Sequence, residues 1–400
     1  MRVLITNNAL DSRAGSELYA RDLALELIKR GHTPIAYSTR LGEVAEEMRA
    51  ATVPVIDDLD AMAIAPDIIH CQHHVEAMTA LLRFPGVPAV FFCHGWTPWE
   101  EAPPIFPRIL RYVAVDLACR DRLLFEHAIA EDRIRVLLNF VDLEKFLPRE
   151  PLPASPRRAL LFSSYASEQT CIPVVREACA RAGLTLDVIG SLAGNAKAHP
   201  EESLREYDIV LAKGRSAIEA LAVGAAVILF DATGTGPMVT AEEFDRLRSL
   251  NFGIRAIRRP LDAEMIAREI ARYDPQDAGE VSRRIRSTAG RTRSIDEIIS
   301  LYEEVISEYK GEDDLKEEER AASNYLRWLS PRLKEREQLH LLIAKIRWDN
   351  AQLNERLAAR EAELERINGT FGWRLLKRYG PIKHRFVLPV WNRIKKPFAR

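Results

Sequence analysis

A cationic turn followed by a carboxylate is the arrangement in this chain best suited to chemistry. It lies in the segment Asp208 to Asp231, where the apolar run Ile209 to Leu211 gives way to Lys213-Gly214-Arg215 and then Ser216. Serine is a preferred residue at a helix start, so the spacing predicts a helix over Ser216 to Val223, closed by Gly224. The N–H groups of a helix start, with Lys213 or Arg215 beside them, suit the oxyanions of a diphosphate. Glu219, in the first turn of that helix, suits the hydroxyls of a ribose; in the plainer alternative it complements the helix dipole and Arg215 is solvated. A further apolar run leads to Thr233-Gly234-Thr235-Gly236-Pro237, whose glycines would let the backbone approach a ligand closely.

Two more places attract attention. Asn7 to Gly15 follows an apolar run and ends at a helix start, Gly15-Ser16-Glu17, where N–H groups can meet an anion or a sugar hydroxyl. The loop is not GxGxxG, so a dinucleotide cofactor is not indicated. His94-Gly95 ends the run Ala89 to Cys93. A histidine at the carboxyl end of a buried parallel strand lies at the mouth of a crevice, where a neutral imidazole can bond a substrate hydroxyl or carbonyl. His70, His73 and His74 stand in a similar place, but no carboxylates share a ligand spacing with them, and no metal is expected.

These groups need a scaffold of alternating strands and helices, and the chain supplies one. Short apolar runs at Val3–Ile5, Thr33–Ser38, Asp67–Cys71, Ala89–Cys93, Val113–Val115 and Ile134–Leu138 read as strands. Amphipathic stretches such as Glu17–Arg30, ended by Gly31, separate them, which implies a parallel sheet. Four prolines between Pro148 and Pro156 interrupt the rhythm. It resumes with strands at Ala159–Phe162, Leu186–Ile189, Ile209–Leu211 and Ala226–Phe230. The expected organisation is an α/β domain over 1–150, a second over 151–310, a charged linker and coiled coil over 311–371, and a basic tail over 372–400. Two Rossmann-like domains joined this way face each other across a cleft.

The coiled-coil expectation rests on Leu339, Ile346, Leu353 and Ile367, with Ile343, Leu357 and Leu364 in the companion series. Asn350 and Arg360 interrupt the two series, and a polar seam residue often fixes register or partner number. A homo-oligomer through 339–367 is one expectation, and a single amphipathic helix folded on the body is the other. The tail holds Arg374, Lys377, Arg378, Lys383, Arg385, Arg393, Lys395, Lys396 and Arg400 with interleaved aromatics and no acidic residue. That composition suits an anionic membrane surface, and it also fits single-stranded nucleic acid or an inert end.

Composition excludes several classes. Of 400 residues 47% are hydrophobic and 29% charged, enough for a real core. A net charge of −1 argues against a globally basic nucleic-acid binder. Five cysteines without CxxC spacing support neither a zinc ribbon nor a disulfide scaffold, and read as reduced thiols. The first residues do not read as a signal peptide, and no run approaches the ~20 apolar residues of a membrane span. A cytoplasmic chain, peripheral at the inner face of the membrane if the tail binds there, is the resulting expectation.

In this order and spacing the motifs resemble the family 4 glycosyltransferases of GT-B fold, over roughly residues 1 to 310. The resemblance is carried by Gly15-Ser-Glu, Arg30-Gly-His32, Asp67-Ile-Ile-His70, His94-Gly95 and Tyr112-Val-Ala-Val115 leading to Arg120. It is carried further by Ile134-Arg-Val-Leu-Leu-Asn-Phe-Val-Asp-Leu-Glu-Lys-Phe146, similar to I-x-V-I-P-N-G-V-D-x-x-x-F, and by Glu219-Ala-Leu-Ala-Val-Gly-Ala-Ala-Val-Ile228, similar to E-A-x-A-x-G-x-P-V-I. It implies a retaining, metal-independent transferase that takes a nucleotide-diphosphate sugar and passes the sugar to a cell-surface glycan or glycolipid. By position Glu219 would hold the ribose, Gly15 would touch the diphosphate and His94 would contact the transferred sugar. Donor-binding residues would be Gly15, Lys213, Gly214, Arg215, Ser216, Gly234 and Gly236. Two departures stand out. Leu211 occupies the place of a glutamate that commonly contacts the donor sugar. Phe162 to Thr170 lacks the Arg and Lys that commonly follow that strand, leaving Lys213 and Arg215 to meet the diphosphate charge. A non-catalytic scaffold, or an epimerase or hydrolase of nucleotide sugars, would share this architecture.

Overall fold

The computed structural model describes the chain except residues 196, 198, 312–314, 373, 375–378 and 380–400. Its described part divides into two compact units, Met1–Ala322 and Ser323–Arg400. The first unit holds both α/β domains.

The first domain begins with β1 (Arg2–Thr6), α1 (Gly15–Lys29), β2 (Thr33–Tyr37), α2 (Glu43–Ala50), β3 (Val55–Ile56), β4 (Ile68–Gln72) and α3 (His74–Arg83). It continues with β5 (Ala89–Cys93), β6 (Ile109–Ala114), α4 (Leu117–Asp121) and β7 (Ile134–Val136). Its seven strands are ordered β3-β2-β1-β4-β5-β6-β7 and pair in parallel throughout. β4 and β5 are buried along their whole length, so they read as unbroken runs and not as alternating ones.

The second domain comprises β8 (Arg158–Phe162), α5 (Ile172–Arg181), β9 (Thr185–Ile189), α6 (Pro200–Leu204), β10 (Ile209–Ala212), α7 (Gly214–Val223) and β11 (Ala226–Asp231). It ends with β12 (Gly234–Met238), α8 (Phe244–Ser249), α9 (Ala263–Ile270) and α10 (Pro275–Thr288). Its sheet runs β12-β11-β10-β8-β9, parallel but for the antiparallel β11–β12 pair. One apolar layer around Leu160, Val210 and Phe252 and another around Leu161, Ile228 and Ile266 clothe its two faces.

The next helix, α11 (Arg291–Glu308), corrects the boundary expected near 310. Ile295, Ile298, Leu301, Tyr302 and Val305 lie in the core of the first domain with Val3, Ile5, Val90 and Phe92. The reason is amphipathic: α11 has one apolar stripe, and the first domain offers the complementary face. Tyr302 adds a polar tie. Its hydroxyl is 2.6 Å from His70 Nδ1, while Gln72 Nε2 lies 3.1 Å from His70 Nε2. An amide NH2 can only donate, so His70 Nε2 accepts and Nδ1–H donates to Tyr302. Two buried polar residues in a core strand are thereby satisfied.

The chain passes between the domains twice, and the two passages are stitched together. Val141 N–H donates to Ala289 O at 2.8 Å, and Arg291 N–H donates to Val141 O at 3.1 Å. Arg291 also pairs with Asp142 and Glu26.

The last helix, α12 (Leu315–Gly369), begins inside the segment expected to be a charged linker. The correction has a physical cause. Glu318 seats a carboxylate on the fully buried Arg108, 2.6 Å from its Nε, and Arg108 also donates to the carbonyls of Phe84, Val87 and Leu81. Removing one partner of a buried pair strands the other charge. Glu318→Ala should therefore lower unfolding free energy by about 3 kcal/mol, read from urea melts of the full chain, with Glu318→Gln recovering part of it.

Candidate functional site

In each sheet the strand order reverses once, between β1 and β4 in the first and between β8 and β10 in the second. Ligands of open α/β sheets bind outside the carboxyl ends of strands at such reversals. The loops there are Asn7–Ala14 and His73 in the first domain, and Ser163–Thr170 and Lys213 in the second.

Helix α1 is the element common to both sides. Its first residue, Gly15, follows an extended Ala14, and a Cβ at Gly15 would meet nothing within 4 Å. The space at this helix start is open. One turn on, the Tyr19 ring meets the His94 ring edge-on, centroids 4.5 Å apart. Asp22 Oδ2 accepts from Arg215 Nη2 at 2.6 Å, across the domain interface.

His94 stands directly after β5, where it was expected. Its backbone N–H donates to Glu101 Oε2 at 2.9 Å. Its Nε2 is buried and has no hydrogen-bond partner among the described residues. Burial pushes its pKa down to about 4 despite the Glu101 charge, so the ring is neutral at physiological pH. The other Glu101 oxygen lies 3.4 Å from His73 Nε2. His73 Nδ1 accepts from the Asn8 N–H at 3.2 Å, so its proton sits on Nε2, facing Glu101. His73 adopts φ of +60°, a conformation held by these two bonds. Burial raises the pKa of Glu17, which accepts from Ser16 Oγ at 2.9 Å. Among the described residues no group of His, Cys, Asp and Glu has the geometry to hold a metal ion.

On the second domain the structure revises the helix start. Lys213 is the capping residue and Gly214, at φ +56°, is the first of α7, its N–H donating to Phe252 O at 2.9 Å. Ser216 is thus the third helical residue and makes no side-chain cap, and Glu219 lies in the second turn and not the first. Gly214 sets this boundary because the positive φ that turns the chain is cheap only for glycine. Lys213 pairs with Asp231. Arg215 Nε donates to Glu219 Oε1 at 2.8 Å while its Nη2 holds Asp22, so one guanidinium serves two carboxylates. Burial drives Glu219 up in pKa and outweighs Arg215. At Asp22 burial also pushes upward, but Arg215 and Arg21 outweigh it and hold the group low. Glu219 is therefore the easier of the two to protonate.

At Gly234 and Gly236 a close approach of the chain to itself accounts for the glycines. A Cβ at Gly234 would stand 2.5 Å from Arg259 O, and one at Gly236 would stand 2.8 Å from Leu229 Cβ. The room these glycines make is filled by the chain itself. Leu211 is fully buried in β10. Asp22, Tyr19 and Glu101 were not anticipated. Asp22 reads as an ordinary polar position on an amphipathic helix, and nothing local announces a partner in another domain.

The model of Glycosyltransferase Family 4 matches residues 13–145. Among solved structures the chain is similar to a glycosyltransferase from Rickettsia africae, with a TM-score of 0.55 and 16% identity over 77% of this chain and 99% of that one. It is similar to Anabaena HepE in complex with UDP and glucose, TM-score 0.54 and 13% identity over 75% and 99%. It is similar to sucrose-phosphate synthase from Thermosynechococcus elongatus, TM-score 0.51 and 12% identity over 76% and 99%. The fold is GT-B. No curated protein matches the chain. The Asp22–Arg215–Glu219 cluster joins the two domains, and α1, which carries Asp22, also touches His94 through Tyr19.

The His94 environment has a measurable consequence. In the unfolded chain the imidazole takes a proton near pH 6.5, and in the folded chain only near 4. Between these values the unfolded state binds more protons, so stability falls as pH drops. His94 should contribute about 3 kcal/mol to that loss, and His94→Gln should flatten this part of the curve in urea melts taken from pH 7 to 4.

Proposed function

We propose that this chain transfers a hexosyl group from a nucleotide-diphosphate sugar to a glycan or glycolipid acceptor, with retention and without a metal. The donor lies against the second domain and the acceptor against the first. The anomeric carbon–diphosphate oxygen bond breaks, and the acceptor oxygen bonds to the same face of the sugar. The proton of the acceptor hydroxyl leaves with the departing phosphate oxygen.

The observation that carries this reading is α1, which presents an open N-terminus at Gly15, touches His94 through Tyr19 and binds Arg215 through Asp22. A diphosphate needs several fixed donors near one place, and α1 is the element linked to each of the candidates. Arg215 and Lys213 are both neutralised by carboxylates in this structure. The leaving group competes with Asp22 for Arg215, and Glu219, once released, turns to the ribose hydroxyls. The neutral His94, with an unpartnered Nε2, accepts from or donates to a hydroxyl of the transferred sugar. That a structural relative binds UDP and glucose favours the same donor class here.

Donor hydrolysis and transfer assays with UDP- and GDP-sugars test the reading. Glu219→Ala should lower kcat/KM by about 100-fold or more, a loss in the range of a missing transition-state contact. Full activity in that variant would remove Glu219 from the site. A second reading has its own support: the chain is similar to a putative UDP-N-acetylglucosamine 2-epimerase from Listeria monocytogenes, TM-score 0.50. Conversion of donor without any acceptor would favour it. Failure to bind any nucleotide sugar would favour a non-catalytic scaffold, which the absence of the glutamate at Leu211 also suits.

We place the chain at the inner face of the membrane through its basic tail. Among the described residues no helix is long and apolar enough to cross a bilayer. Most of 372–400 lies outside the described residues, so this part rests on sequence. Deleting 372–400 should abolish co-sedimentation with anionic liposomes, and salt should weaken binding by the intact chain.

A further inference from the structure

α12 is a 55-residue helix, and beyond Glu318 none of its described residues is buried. Along 339–367 it nevertheless carries a row of large apolar side chains. Leu339, Ile346, Leu353 and Ile367 form one series and Ile343, Leu357 and Leu364 the other, all between 41% and 59% exposed. The spacing alternates four and three, which is the seam of a left-handed two-helix assembly and not the broader stripe of a helix lying on a globular surface. Such a stripe left in water marks an interface.

We infer that this seam is occupied by the same seam of a second copy, as a parallel, in-register dimer. Four observations favour that occupant and orientation. The first is Asn350. In the pattern it takes the a position, between the d residues Ile346 and Leu353. A lone asparagine there is well suited to two strands in register, because the two amides bond each other and any shift would bury them against apolar groups.

The second is the charge on the flanks. In a parallel dimer Arg356, just before Leu357, faces the second copy's Glu361, and symmetry makes that attraction twice. The remaining flanking oppositions, Leu342 with Arg347, Asp349 with Asn354 and Glu363 with Asn368, place no like charges together.

The third is the alternative. Turned antiparallel, with Asn350 opposite Arg360, the apolar layers also match. Arg356 would then face its own copy and Asp349 would face Glu363 twice, three like-charge oppositions against two Arg347–Glu361 attractions. Like charges held opposite each other select against that arrangement.

The fourth concerns Arg360, the residue that would most disturb a parallel seam. Its Nη1 lies 2.7 Å from Glu363 Oε2, one turn on and on the flank. The guanidinium is already drawn to the seam's edge, so its charge is offset outside the apolar layer. Its aliphatic stem remains to pack. Each copy's seam is followed in sequence by its basic tail, and a pair of tails would bind an anionic surface with an avidity neither has alone.

Light scattering on the full chain at micromolar concentration should give twice the mass of one chain. Leu353→Asp with Leu357→Asp should give single-chain mass with the thermal transition of the α/β unit unmoved. Asn350→Cys reads the orientation. All five native cysteines are buried, and two cysteines at one in-register a position lie within disulfide reach. Mild oxidation should convert this variant to a covalent dimer on denaturing gels, while Arg360→Cys mixed with Asn350→Cys should give no mixed disulfide beyond the Asn350→Cys homodimer. A wild-type chain of single mass overturns the inference, as does a trimer or tetramer. A dimer in which Asn350→Cys fails to crosslink, or links preferentially to Arg360→Cys, overturns the parallel register.

Discussion

One guanidinium shared by two carboxylates decides how this molecule holds its chemistry. Arg215 reaches from the second domain to Asp22 in the first, and keeps Glu219 on its own side. All three are nearly buried, so the contact is poorly screened and its geometry matters more than that of a surface pair. Breaking one arm leaves a buried charge uncompensated, so the three side chains hold one another in place. The positive charge of Arg215 is matched by Asp22 and Glu219, and that of Lys213 by Asp231.

Much of the scaffold is legible in the residues. Ala89–Cys93 and Ala226–Phe230 are unbroken apolar runs because parallel strands are covered on both faces, and both were found where the runs stand. Gly31 and Gly224 end their helices as left-handed residues do. Ser216 misled because its propensity to cap was outweighed by Gly214, whose backbone freedom starts the turn two residues sooner. Gly234 and Gly236 show a different limit. Glycine permits close approach, but sequence does not say of what, and here the neighbours are Arg259 and Leu229.

The least legible features are those made by residues far apart in the chain. Asp22 and Arg215, Arg108 and Glu318, and His70 and Tyr302 are each separated by roughly two hundred positions. Each half looks ordinary by itself: a surface acid, a turn arginine, a helix tyrosine. Only the topology joins them, and periodicity carries no information on which distant element a polar residue will meet. The same limit hid the return of α11 to the first domain, since its stripe fits any apolar face of the right width.

That return has a mechanical consequence. The chain leaves the first domain near Val141 and re-enters it near Gly290, and those two passages are bonded side by side, so both covalent links between the domains lie at one short pivot. Twisting or sliding of one domain on the other would shear the Val141–Ala289 and Arg291–Val141 bonds, whereas swinging about them need not. Swinging would instead strain the Arg215–Asp22 and Arg255–Asp121 pairs, which act as latches away from the pivot.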